Sequence, residues 1–329
     1  MAERTVAGAP VGGDGEAGKN DVMLAEVIPR HAATAGLLDF TDRWPAMVIK
    51  ELRQGLRARG FVVPFLGLQL LAVGAVAVEY LATRSGASSG VVWGGSGGGP
   101  GMFWMAVYLV VVGVMPLRLM ESLQGEQDGK NAELLLLGGL TRWQIVRGKW
   151  LVQAVLTGLA LVSLLPYGLV RYFFGGVELV PSLFSLGSVL AAALGMAGCV
   201  VGASGYPSLG MRFFIIGVAA FLLGMVAVFT EVMIANARGV ARLQDLVTFA
   251  YGYLYAVLFH GLYAMIGLQL GRAHLKLFLH PHELTLTKSM VAMMLGAPFM
   301  LLAGGLATLV YGAILVPILF LYAVSRVDP

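Results

Sequence analysis

The chain has 329 residues, of which 58% are hydrophobic and only 12% charged, with a net charge of +4 and a mean hydropathy of +0.82. That balance excludes an ordinary water-soluble globule, in which about a quarter of residues are charged, and points to an all-α chain that crosses a membrane several times. One cysteine, Cys199, lies in an apolar run, so neither an intrachain disulfide nor a cysteine metal site is possible.

Residues 1–44 open with a stretch rich in Gly, Ala, Asp and Glu that lacks the apolar segment of a signal peptide. They are expected to form a disordered cytoplasmic tail. Residues 45–60, PAMVIKELRQGLRARG, follow. Pro45 suits a first helical turn and Gly60 a stop. Val48, Leu52 and Leu56 recur at helical spacing beside Ile49, while Lys50, Arg53 and Arg57 fall elsewhere on the wheel. This pattern predicts an amphipathic helix lying in the membrane interface, its bases facing anionic lipid.

The transmembrane domain is expected over residues 61–329. Apolar runs follow at Phe61–Leu81, Met102–Leu117, Trp150–Val170, Leu183–Val201, Phe213–Thr230 and Leu246–Leu270. A spanning helix needs roughly 20 residues, so the short second run is expected to extend into its flanks. Ser289–Val324 then runs without a charge. As one helix it would measure about 54 Å against a hydrocarbon core of about 30 Å, so it is expected to fold back near Gly304-Gly305. The predicted architecture is six core transmembrane helices plus a C-terminal hairpin, eight spans in all. With the N-terminus in the cytoplasm, 18 of the 22 Lys and Arg fall inside, which fixes the expected orientation in a plasma or bacterial inner membrane.

Between the second and third runs lies a cytoplasmic loop, 118–149. From Glu121 to Lys149 it carries four acids and four bases, dense for so apolar a chain. Ala132–Leu137 is a short helical candidate, and Gly138-Gly139 suits its end. Thr141 with Gln144 three residues on has the spacing of a capping box that starts the next helix. Trp143 and Trp150 suit the aromatic belt of an interface. The pattern is a short helix jointed by glycine to a membrane helix, able to pass on a push from below.

GEQDGKNAELLLLGGLTRWQIVRGK resembles the loop after the second span in permease subunits of type-two ABC exporters. The resemblance rests on Glu126, Gly129, Glu133, Leu134, Leu135, Leu136, Gly138, Thr141, Arg142, Trp143, Gly148 and Lys149. Val48–Arg59 is similar to the pre-span helix of one branch of that family. Lys130-Asn131 stands where Gly-Thr is common there, and the final hairpin would be added to a six-span core. The resemblance implies a permease without its own motor, paired as a homodimer or with a second permease, over separate ABC ATP-binding subunits. Glu126, Glu133, Leu134, Leu135, Thr141 and Arg142 would meet the ATPase, while Val48, Leu52, Arg53, Leu56 and Arg57 would meet lipid. No enzyme activity, cofactor, metal or nucleic-acid partner is implied.

Other motifs carry less. Gly13–Asn20 misses a P-loop only at Asn20, where Ser or Thr would serve magnesium. His280 and His282 form a bare pair in a turn. Glu79 and Glu231, near span ends, are expected to snorkel, and His260 to line a path or pack as a neutral ring. Gly195, Gly198 and Gly202 suit close helix packing. A non-transporting scaffold that docks cytoplasmic partners is the alternative function. An ion-coupled carrier fits worse, because the runs hold so few charges at mid-length.

Overall fold

A computed structural model describes residues 46–84, 101–128, 137, 139–173, 179–236 and 243–279. The chain divides into two units, Met1–Ile49 and Lys50–Pro329. The first contributes only the opening turn of helix α1 to the described residues.

All regular elements among the described residues are helical: α1 (Ala46–Arg57), α2 (Arg59–Arg84), α3 (Met102–Val107), α4 (Ser122–Asp128), α5 (Arg142–Val162), α6 (Leu165–Phe173), α7 (Leu179–Ala203), α8 (Leu209–Asn236) and α9 (Leu243–Leu279). Among the described residues, six stretches are long and apolar enough to cross a membrane: Arg59–Ala82, Met102–Glu126, Arg142–Phe173, Val180–Ala203, Leu209–Ile234 and Gly252–Leu275. Each contains or overlaps one of the six expected runs. The expected hairpin, Ser289–Val324 with Gly304-Gly305, lies outside the described residues, as do the tail 1–44, the Gly13–Asn20 motif and the His280/His282 pair.

Two spans are irregular, each beside a proline. The second passes from α3 into a π-helical stretch, Tyr108–Val114, and a 3-10 stretch, Met115–Leu119. Pro116 has no N–H to give Val112, which removes one α-helical bond at the passage from the π to the 3-10 stretch. The third span breaks at Ser163–Leu164, where Leu164 N–H turns to the Leu161 carbonyl at 3.0 Å. Pro166 then stands in the first turn of α6, a position that needs no intrahelical N–H.

α7 is the central helix, touching α5, α8, α9 and both irregular stretches of the second span. Its glycines set the approach of α9. A methyl on Gly198 would fall 2.6 Å from the Ala264 Cα, and one on Gly202 would run into Gly267. The small-residue face read from the sequence thus pairs α7 with α9 in the same chain, backbone against backbone.

α1 ends before Gly60. Its bend falls at Ala58, closed by Ala58 N–H to the Gly55 carbonyl at 3.2 Å and Phe61 N–H to the Ala58 carbonyl at 3.0 Å. Gly60 therefore sits in the opening turn of α2 rather than at a stop.

Candidate functional site

The charged loop between the second and third spans leads to a clamp at the start of α5. Lys149 is only 4% exposed. Its Nζ donates to Glu51 Oε1 of α1 at 3.0 Å and to Glu126 Oε1 of α4 at 3.1 Å. Three elements that are distant in sequence thus meet on one ammonium. Each glutamate side chain keeps 22% of its surface exposed, so this is a half-buried site rather than a dry one. Glu51 also lies within electrostatic reach of Arg118 from the second span. Two acids and two bases therefore balance, which lowers the cost of removing them from water. A methyl on Gly55 would come 3.0 Å from Arg118 Nη2 and 3.1 Å from Leu156 Cδ1. The absence of a side chain there lets α1 lie close to the second and third spans.

This contact fixes the faces of the α1 segment within the second unit. At about 100° per residue, Glu51 and Gly55 share the side turned to the bundle. Leu52 and Leu56 fall on the next side, half-buried and exposed respectively, and Lys50, Arg53 and Arg57 are exposed on a third. Val48 lies in the first unit.

The loop itself is partly described. Gly139 has a φ of +83°, a left-handed conformation that suits glycine, two residues before the cap of α5. Thr141 caps α5 as its spacing predicted: Gln144 N–H donates to Thr141 Oγ1 at 3.3 Å, and Thr141 N–H to Gln144 Oε1 at 2.8 Å. Thr141 is exposed and Arg142 half-buried. Glu133, Leu134 and Leu135 lie outside the described residues; Leu137, next to them, is 84% exposed. Glu126, expected on the partner surface, points its carboxylate at Lys149. Trp150 turns its Nε1 to the Leu194 carbonyl of α7 at 3.0 Å, which pins α5 to the central helix.

At the opposite end of the spans a second clamp holds. Arg171 of α6 donates through Nε to Glu79 Oε2 at 2.7 Å and through Nη2 to Oε1 at 3.2 Å. Its guanidinium also lies 4.5 Å from the Phe103 ring centroid, and Phe103 N–H donates to Glu79 Oε1 at 3.2 Å. The first three spans are joined there. Deeper at the same end, Glu231 of α8 takes hydroxyl hydrogen bonds from Tyr108 at 3.1 Å and Ser185 at 2.9 Å, and Tyr108 also meets Ser188 at 2.7 Å. The expectation that Glu79 and Glu231 snorkel is therefore corrected. Both find polar partners on neighbouring helices, as ionisable groups within spans commonly do. His260 is buried, with Nδ1 2.6 Å from the Ala256 carbonyl one turn back.

Sequence reasoning missed Lys149 as the hub. A lysine opening an apolar run signals that an acid must come to meet it, but not which acid. Among the described residues no three His, Cys, Asp or Glu side chains gather in a way that could hold a metal. Comparison with family models, curated proteins and solved structures finds no match.

Proposed function

We propose that the chain is the permease subunit of an ATP-driven exporter of the type-two ABC kind, moved by a separate ATP-binding subunit. The observation that carries this reading is the junction at Lys149. A glycine-jointed, charged loop enters a capped membrane helix, and the first buried cation of that helix grips both the pre-span helix and the end of the second span. A force on the loop would reach three elements at once. The loop also carries the residues on which the family resemblance rests. In this reading the loop faces the cytoplasm, Leu52 and Leu56 enter the lipid edge beside basic Arg53 and Arg57, and the uncharged C-terminal stretch adds a seventh and an eighth span. Two such chains, or this chain and a second permease, pair over two ATPases in the inner membrane.

The reading is tested by purifying the tagged full chain from its own membranes and assaying the eluate for ATP hydrolysis. Glu133→Lys combined with Leu135→Asp should remove the hydrolysing partner while leaving membrane insertion intact, because a desolvated interfacial charge contact contributes about 2–5 kcal/mol. Arg242→Glu, expected on the far side, should leave the partner bound. Retention of full hydrolysis by the double variant rejects the loop as the docking element. A stable partner that does not hydrolyse ATP favours the scaffold instead.

A further inference from the structure

The second span is anchored at both ends by directional bonds. At the end away from the loop, Phe103 N–H donates to Glu79 Oε1 at 3.2 Å, and the Tyr108 hydroxyl meets Glu231 at 3.1 Å and Ser188 at 2.7 Å. At the loop end, Leu123 N–H donates to Ser204 Oγ at 3.3 Å, and the Met120 carbonyl accepts from Arg212 Nη1 at 3.3 Å. Glu126 accepts from Lys149 at 3.1 Å. Between these anchors the backbone ladder changes width twice. Tyr108 N–H still reaches the Trp104 carbonyl, four residues back. Met115 N–H reaches Val110, five back, and Met120 N–H reaches Leu117, three back. Pro116 stands where the ladder passes from wide to narrow, and it has no N–H for any of these registers. The side chains buried there are apolar, among them Val110, Val111, Met115 and Leu119. Apolar contact is non-directional, and an unbranched methionine refills an altered gap. π turns are rare and gather at functional sites, and 3-10 turns inside a helix mark hinges.

We propose that Tyr108–Leu119 is a hinge within the second span. It bends between the Tyr108 anchor, which stays in place, and the loop end, which moves with Glu126. Pro116 makes no backbone donor bond, so the ladder changes register there without breaking one at that residue. That an ATPase drives the hinge rests on the permease reading; the hinge itself needs only the fold.

The test measures distances between paired spin labels in the full chain, purified and returned to lipid, in a Cys199→Ser background. One pair, Met102→Cys with Glu121→Cys, brackets the hinge. The control pair, Met211→Cys with Phe229→Cys, lies on the uninterrupted helix α8. All four positions are exposed, and by helix rise both pairs are about 27–28 Å apart. The hinge pair should give a distance distribution about twice as wide as the control pair's, because only its helix carries π and 3-10 turns. Pro116→Ala with Gly113→Ala restores a donor and favours the regular helix. A methyl on Gly113 would meet nothing within 4 Å. The paired substitution should narrow the distribution to the control width while the thermal midpoint holds or rises. If it prevents insertion, Gly113→Ala alone decides, by the same narrowing. A hinge pair as narrow as the control overturns the proposal. So does a broad distribution that the substitutions leave unchanged. A broad distribution, narrowed by substitution, in a chain that carries no hydrolysing partner upholds the hinge and rejects the permease reading separately.

Discussion

The two ends of the spans each carry a clamp around one buried cation, and the two clamps differ in kind. At the loop end the cation is Lys149, an ammonium on a flexible stem, shared by two half-exposed glutamates from two elements. At the opposite end it is Arg171, whose planar fork takes both oxygens of Glu79 and also lies over Phe103. A guanidinium fork fixes both distance and angle, whereas an ammonium fixes little but distance. The opposite end is thus built as a brace. The loop end is built as a joint, which can rotate while its charges stay paired. This difference fits a protein pushed from the loop side.

The comparison can be broken or sharpened by substitution. The largest effect is expected at the brace. Arg171→Met takes from the part-buried Glu79 both bonds of the fork and from Phe103 its cation contact, and should lower stability by about 3–5 kcal/mol, read from denaturant titration of the purified chain. Lys149→Met should cost less, about 1–3 kcal/mol in the same titration, because the ammonium makes one bond to each carboxylate and neither a two-oxygen fork nor a ring contact. A larger loss at Lys149 than at Arg171 would reverse the assignment of joint and brace. Smaller still are the cation swaps. Arg171→Lys gives up the fork and the ring contact and should cost about 1–2 kcal/mol, whereas Lys149→Arg should cost under about 1 kcal/mol. Equal costs for the two swaps would show that geometry matters no more at one end than at the other.

What could be read from the sequence was what is local. Long apolar runs announced the six spanning stretches, because a helix is the only open-chain way to satisfy backbone groups in lipid. The Thr141–Gln144 box was legible for the same reason, since both partners lie within one turn. The Gly198/Gly202 face was legible as a close-packing surface, but its partner on α9 was not. Pairings such as Lys149 with Glu51, 98 residues apart, leave no periodic trace. Neither does Arg171 with Glu79, and so Glu79 read as a snorkelling end residue. The bend at Ala58 was also hidden. Gly60 is the stronger helix breaker by propensity, but the close approach to Arg118 uses Gly55 and the bend precedes Gly60. The π and 3-10 stretches of the second span were visible only as a run too short to cross, with Pro116 the single hint.

The most direct test of the account is to lock each clamp in turn. In a Cys199→Ser background, cysteines at Glu51 and Lys149, or at Glu79 and Arg171, are bridged by a bis-methanethiosulfonate linker in the full chain purified together with the ATPase proposed to bind it. ATP hydrolysis is then measured before and after reduction. The joint-and-brace account predicts that linking Glu51→Cys to Lys149→Cys abolishes most of the hydrolysis and that reductant restores it, while linking Glu79→Cys to Arg171→Cys leaves it nearly unchanged. Full hydrolysis with the loop-end pair linked would contradict it.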